Sequence, residues 1–140
     1  MALNKPTVIE AVGRSIRQAD PGRRPVATLA VVWGEDHPLL DALITGIDTA
    51  DTHFVTLTDR AVLVHRIRGA FFRQPDRLTL TLDREEARSA ISDVRRGVLW
   101  SSFQLQPPGG AKPVRLSVCR AWFPEMDRFL AELAVEAAHP

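Results

Sequence analysis

The chain has 140 residues, of which 45% are hydrophobic and 25% charged, and its formal net charge at pH 7 is +1. This length suits one domain with a real core, and the balanced composition argues against disorder and against nucleic-acid binding through gross positive charge. No apolar run approaches the roughly 18 residues needed to cross a bilayer, and the amino end lacks a signal-peptide pattern, so we expect a cytoplasmic protein. The single cysteine, Cys119, excludes an internal disulfide framework.

An amphipathic helix is predicted near the amino end. Val8, Val12 and Ile16 recur at the spacing that places apolar side chains on one face of a helix. The helix is expected to end near Ala19, because residues 20–25 contain two prolines and a glycine and cannot continue it. The next elements are a largely buried strand and a second helix, predicted over residues 26–33 and 39–47.

After this point the apolar period changes from that of a helix to that of a strand. Residues 54–58 and 61–65 each alternate with a period of two, and a polar Thr58-Asp59-Arg60 corner joins them. The pattern predicts a β-hairpin. Neither Asp59 nor Arg60 favours positive φ, so we expect a corner slightly longer than two residues, with Thr58 or Asp59 bonding to the turn backbone.

Three later segments also have the period of a strand. Residues 78–82 alternate leucine with threonine, which predicts that the leucines face a core and the threonines face outward. Residues 98–106 and 114–119 flank a Pro-Pro-Gly-Gly break and predict an antiparallel pair. Within the first of these two strands, Leu99 is expected on the apolar face and Trp100 on the opposite face.

The order of elements predicts a fold of the α+β class that is mainly antiparallel β. We expect a bent sheet or small barrel, capped by a C-terminal helix that begins at Pro124 and preceded by an N-terminal helical extension. Residues 1–140 are expected to form a single domain, in which residues 1–50 supply the extension and the first strand.

The chain resembles the bacterial pleckstrin-homology-like (PH-like) domains over residues 52–137. The resemblance rests on the Thr58-Asp59-Arg60 turn with the apolar strand 61–64 after it, on Ile91-Ser92-Asp93-Val94, and on the closing helix. It implies a non-enzymatic binding or assembly module that acts through protein–protein contact or self-association and needs no cofactor. Trp100, Phe71 and Phe72 are the candidate contacts, since exposed tryptophan and phenylalanine are typical of interfaces.

A second hypothesis is that the protein binds acidic lipid or a phosphate-bearing ligand. Basic residues recur through the region from Arg66 to Arg77, where guanidinium groups can hold phosphate by charge-assisted hydrogen bonds. Phe71 and Phe72 lie among them and have the apolar rings that enter a membrane surface. The alternative is that these arginines only solvate an edge strand. The basic residues concerned are His65, Arg66, Arg68, Arg73 and Arg77.

A third hypothesis is a small enzyme with a polar site near Asp48, Asp51 and His53. Two carboxylates and an imidazole at this spacing can face a metal, but the same residue types are common in a polar turn before a strand, and no further ligands are identifiable. We therefore predict no metal site and no catalytic residues. Nucleic acid is not an expected partner, because the N-terminal basic stretch has no aromatic residue interleaved among Arg14, Arg17, Arg23 and Arg24.

Overall fold

The computed structural model describes residues 5–33, 52–68 and 74–133. Within them the helices are α1 (Lys5–Ala19), α2 (Arg84–Ala90) and α3 (Phe123–Leu133), the last preceded by a 3₁₀ turn, Arg120–Trp122. The strands are β1 (Pro25–Trp33), β2 (Thr52–Thr58), β3 (Ala61–Arg68), β4 (Gln74–Asp83), β5 (Ile91–Arg95), β6 (Trp100–Leu105) and β7 (Val114–Cys119). The helix predicted over residues 39–47 lies outside the described residues.

The seven strands form one antiparallel sheet in the order β4-β3-β2-β1-β7-β6-β5. The sheet curls into a half-barrel, and the closing helix α3 packs against it. The predicted fold class is confirmed: the protein is of the α+β class, with a bent, mainly antiparallel sheet and a C-terminal helix. Strand β1 lies at the centre of this sheet, and β4 and β5 are its edges.

The concave face of the sheet holds the larger core. Helix α3 contributes a buried stripe that contains Met126, Phe129, Leu130 and Leu133, and this spacing places all four on one helix face. The ring of Phe129 stacks on that of Phe103 from β6, with 5.9 Å between the ring centroids. Burial of side chains of this size stabilises the fold by about 1.5–3 kcal/mol each, which is why the C-terminal helix is fixed against the sheet.

The convex face is covered in part by α1, as its amphipathic pattern predicts. Val8, Val12 and Ile16 are all buried, and they form a second core with Phe54, Ala61 and Leu63 from β2 and β3. Strands β2 and β3 are consequently buried on both faces through residues 53–58 and 61–65. The first hairpin is therefore an internal part of the fold.

The turn of the first hairpin is held by its own threonine. The connection between β2 and β3 is two residues long, shorter than predicted, and neither Asp59 nor Arg60 has a positive φ. The Thr58 hydroxyl accepts hydrogen bonds from the backbone N–H groups of Arg60 (3.2 Å) and Ala61 (3.0 Å). These bonds stabilise a turn that lacks the glycine or asparagine favoured in two-residue hairpins.

One prediction for β4 is only partly correct. Leu82 is buried and Leu80 is half-buried, but Leu78 is 48% exposed. The pairing of β3 with β4 shifts register between Val64 and His65, so that Leu78 lies opposite His65 and not opposite an inward-facing residue. A bulge adds one residue to one strand and turns the following side chains to the other face of the sheet.

Candidate functional site

Most of the residues predicted to bind lipid or a partner lie on β3 and in the segment that follows it. Arg66 is on β3 and its side chain is exposed. Arg68 is the last residue of the same strand, and Phe71, Phe72 and Arg73 lie outside the described residues. Of the predicted binding residues in this region, the described structure places Arg66 and Arg68 on β3.

The hypothetical polar site is likewise only partly described. His53 is buried in β2, where it pairs with Val31 of β1 and Arg66 of β3. Asp48 and Asp51 lie outside the described residues. In the part of the chain that the structure describes, no group of three or more His, Cys, Asp or Glu side chains is arranged to hold a metal ion.

An apolar surface lies instead at the tip of the hairpin formed by β5 and β6. Val98 is 79% exposed and Leu99 is 51% exposed, and Trp100 beside them is half-buried. We call these three residues, Val98, Leu99 and Trp100, the apolar tip. The sequence identified Trp100 as a candidate contact but placed Leu99 on a buried strand face, which is wrong because β6 begins only at Trp100.

Two hydrogen bonds hold the backbone of the apolar tip. The N–H of Arg120 donates to the carbonyl of Leu99 at 2.9 Å, and the N–H of Gly97 donates to the Ser101 hydroxyl at 3.3 Å. A Cβ atom at Gly97 would clash with the backbone carbonyl oxygen of Trp100, so this approach requires glycine. The two large aliphatic side chains are therefore presented from an ordered turn.

An ion-pair network supports the base of the same hairpin on the β5 side. Asp93 has a φ of 50° and lies where the β5–β6 register shifts. Its carboxylate pairs with Arg95 at 2.9 Å and also with Arg115 of β7. Arg115 donates in addition to the Ser102 hydroxyl at 2.9 Å. A carboxylate shared by two guanidinium groups fixes the bulged strand in one geometry.

A second ion pair, between Arg96 and Asp127, joins this hairpin to α3. Arg120 is exposed immediately beyond the tip. The surface around the apolar tip therefore carries charges of both signs. Paired surface charges of this kind contribute little to stability, on the order of 0–1 kcal/mol each, but they determine which partner surfaces fit.

Comparison of the chain with protein-family models, with curated proteins and with solved structures found no match. Among the helices that the structure describes, none is both long enough and apolar enough to span a membrane.

Proposed function

We propose that the protein is a cytoplasmic, non-enzymatic module of PH-like type that self-associates through the apolar tip of its β5–β6 hairpin. The observation that carries this proposal is the exposure of Val98 and Leu99 on an ordered turn. Isolated exposed leucines are ordinary on protein surfaces, but adjacent large apolar side chains beside a half-buried tryptophan form a patch of the kind that marks an interface.

Removing the apolar tip from water favours association. Burying Val98 and Leu99 against another surface yields about 1.5–3 kcal/mol for each side chain, which corresponds to a change of tenfold or more in a dissociation constant. The hydrogen bonds at Gly97 and Arg120 already hold the turn, so little backbone entropy is lost when a partner docks. Preorganisation of this kind makes a small apolar patch effective.

The charges around the tip favour a second copy of the chain as the partner. Arg95 and Arg96 lie at the base of the tip together with the carboxylates of Asp93 and Asp127. In a two-fold symmetric contact the same patch meets itself, so the arginines of one copy can face the carboxylates of the other. A surface of one sign would repel its own copy across such an axis.

The experiment is sedimentation velocity of the wild-type chain and the double variant Val98→Asp/Leu99→Asp over a range of concentrations. We expect concentration-dependent dimers for the wild type and a dimer dissociation constant at least about tenfold higher for the double variant, since two buried aliphatic contacts are replaced by charges. Leu78→Asp is the matched control, because Leu78 is also an exposed leucine but lies on the edge strand β4.

Two results contradict the proposal. A wild-type chain that stays monomeric at every concentration overturns self-association and leaves a different protein as the partner of the tip. Dimers that survive in Val98→Asp/Leu99→Asp but are lost in Leu78→Asp place the interface at β4 instead.

Binding of acidic lipid or a phosphate-bearing ligand is the second candidate function. It is supported by Arg66, which is exposed on β3 and has no ion pair with any residue that the structure describes. Flotation with vesicles that contain an acidic phospholipid, repeated across a salt series, tests it. Electrostatic attachment must weaken as salt rises and must weaken further in Arg66→Glu. Attachment that is absent at low salt overturns this candidate.

A further inference from the structure

Helix α1 lies outside the sheet and covers part of its convex face. Its contact surface is the small second core, which consists of Val8, Val12, Ile16, Phe54, Ala61 and Leu63. The seven strands are hydrogen-bonded to one another, and α3 packs on the other face, so neither needs α1 for its backbone pairing. An isolated helix of 15 residues is marginal in water, so α1 depends on this core for its own stability. Release of α1 alone therefore leaves the sheet and the larger core in place.

His65 lies in the interface between the end of α1 and the sheet. Its partner on β2 is Phe54, which belongs to the second core. Ser15, Ile16 and Ala19 of α1 border the same small cleft as His65. The histidine is only 6% exposed. Its burial therefore depends on the docked position of α1.

The protonated form of His65 does not fit this interface. A neutral imidazole can carry its proton on Nε2 and leave Nδ1 bare, whereas an imidazolium must donate from both nitrogens. The Nδ1 atom of His65 is buried and has no hydrogen-bond partner among the residues that the structure describes. Burial accordingly lowers the pKa of His65 below its usual value of 6.5. A proton on Nδ1 needs an acceptor, and release of α1 lets water supply it.

The connector after α1 brings one carboxylate and one guanidinium to the same cleft, those of Asp20 and Arg23. Arg23 Nε donates to the Asp20 carboxylate at 2.9 Å. This bond holds the pKa of Asp20 below its usual value of 3.8, so the carboxylate is ionised and already paired. The two charges offset each other, and a proton on His65 adds a positive charge that they do not neutralise.

Among the described side chains, those that the neighbouring strands place beside His65 are uncharged. The residues opposite it on β2 and β4 are Phe54 and Leu78, and Thr81 of β4 borders the cleft. His53 precedes Phe54 on β2, so its ring points to the other face of the sheet. The side chains of residues 74–77 of β4 lie outside those described. The described charged side chains of α1 are all exposed: Glu10, Arg14 and Arg17.

We propose that proton uptake by His65 releases α1 from the convex face of the sheet, so that mild acid uncovers Phe54, Ala61 and Leu63. The imidazolium is hydrated in the released state, while the strand pairing and the core under α3 stay intact. The proposal concerns the convex face and is independent of the apolar tip.

Native-state hydrogen exchange of the full chain tests the proposal, because each backbone amide reports the opening that exposes it. Comparison with the intrinsic exchange rate at each pH gives a protection factor. At neutral pH we expect the amides of α1 to be less protected than those of α3. Low concentrations of urea should accelerate exchange in α1 less than in α3, because a local opening exposes less surface than global unfolding.

Mild acid should lower the protection of α1 through His65. Between about pH 7.5 and about pH 5.5 we expect the α1 protection factors to fall about threefold to tenfold, because a released histidine gains a proton near pH 6.5 while the docked ring resists it. In His65→Phe, which keeps the ring size and does not titrate, the fall should be less than about twofold. His65→Gln is a second variant that does not titrate, and it keeps a polar side chain.

Asp20→Asn is the matched control. It removes the carboxylate at the same cleft and should keep the full fall in α1 protection, because Asp20 stays ionised throughout this pH range.

Any of three results overturns the proposal. Equal protection and equal urea sensitivity in α1 and α3 would show that α1 leaves only when the whole protein unfolds. Wild-type α1 protection that does not fall in acid would show that the proton has no effect on docking. A fall of the same size in the wild type and in both His65 variants would assign the effect to another group.

Discussion

The β2–β3 turn and the β5–β6 turn use their side chains in opposite ways. In the β2–β3 turn the Thr58 hydroxyl accepts hydrogen bonds from the turn backbone. Asp59 binds to Arg24, which lies in the connector between α1 and β1. The Asp59 carboxylate accepts from the N–H of Arg24, and the Asp59 N–H donates to the Arg24 carbonyl, both at 3.1 Å. In the β5–β6 turn the backbone is equally well held, but Val98 and Leu99 extend into solvent. The first turn serves the fold. The second presents apolar surface that the fold does not use, which is the physical basis for assigning it to a partner.

Removing the Thr58 hydroxyl is expected to have the largest effect on stability. Thr58→Val keeps the shape of this fully buried side chain but leaves two turn N–H groups without their acceptor. The free energy of unfolding should fall by about 1–3 kcal/mol, the cost of unsatisfied buried donors. Urea denaturation measures it. Thr81→Val, at an exposed threonine of β4, should change the same free energy by less than about 0.5 kcal/mol. Equal losses in the two variants would contradict the role given to Thr58.

Removing the Asp59 carboxylate should cost less. Asp59→Ala loses the bond from the Arg24 N–H but keeps the backbone bond from Asp59 to the Arg24 carbonyl. Because this group is near the surface, water can replace the lost acceptor, and we expect a loss of about 0.5–1.5 kcal/mol in the same urea measurement. A loss larger than that of Thr58→Val would show that docking on the connector, and not the threonine, fixes the first turn.

The sequence predicts those features of the two turns that depend on residues close together in the chain. The role of Thr58 follows from the polar corner itself, and the helical face of Val8, Val12 and Ile16 follows from its period, so both were predictable. The sequence places Leu99 wrongly because an alternating pattern does not mark where a strand begins, and β6 begins only at Trp100. The bond that holds the Leu99 carbonyl comes from Arg120, which is distant in sequence.

Two further features escaped prediction because they arise from tertiary packing. The exposure of Leu78 results from the register shift between β3 and β4, which no local pattern encodes. The burial of His65 depends on tertiary packing too, because α1 packs on the convex face of the sheet and ends beside it. The sequence pattern groups His65 with the basic residues that follow it, whereas the structure buries His65 and exposes Arg66.

Acid should lower the stability of the fold through His65, which lies in the first hairpin. His65 has a folded pKa below 6.5, so as the pH falls through about 6.5 the unfolded chain takes up a proton before the folded chain does, and stability declines. Above that pH this group contributes no dependence. The decline should be smaller in His65→Phe, and urea denaturation of both proteins from mildly alkaline to mildly acidic pH isolates the difference. Strands β5 and β6 contain no histidine. The lowered pKa of His65 would be contradicted if, as the pH falls through this range, the free energy of unfolding of the wild type rose relative to that of His65→Phe.

The smallest expected effect on stability is at the apolar tip. In Val98→Asp/Leu99→Asp at concentrations where the chain is monomeric, the free energy of unfolding should change by less than about 0.5 kcal/mol, because exposed side chains away from caps and cores contribute little. Urea denaturation of dilute samples tests this. A loss comparable to that of Thr58→Val would mean that the tip packs on its own chain and is not available to a partner.

A dilution series of ¹H–¹⁵N spectra of the unaltered protein shows whether the apolar tip is a surface for self-association. We expect concentration-dependent shifts at the amides around Val98, Leu99 and Trp100 and at Arg120, whose N–H bonds to the tip. The amides of the Thr58-Asp59-Arg60 turn should not move. Spectra that do not change with concentration, or shifts centred on the edge strand β4, would contradict it.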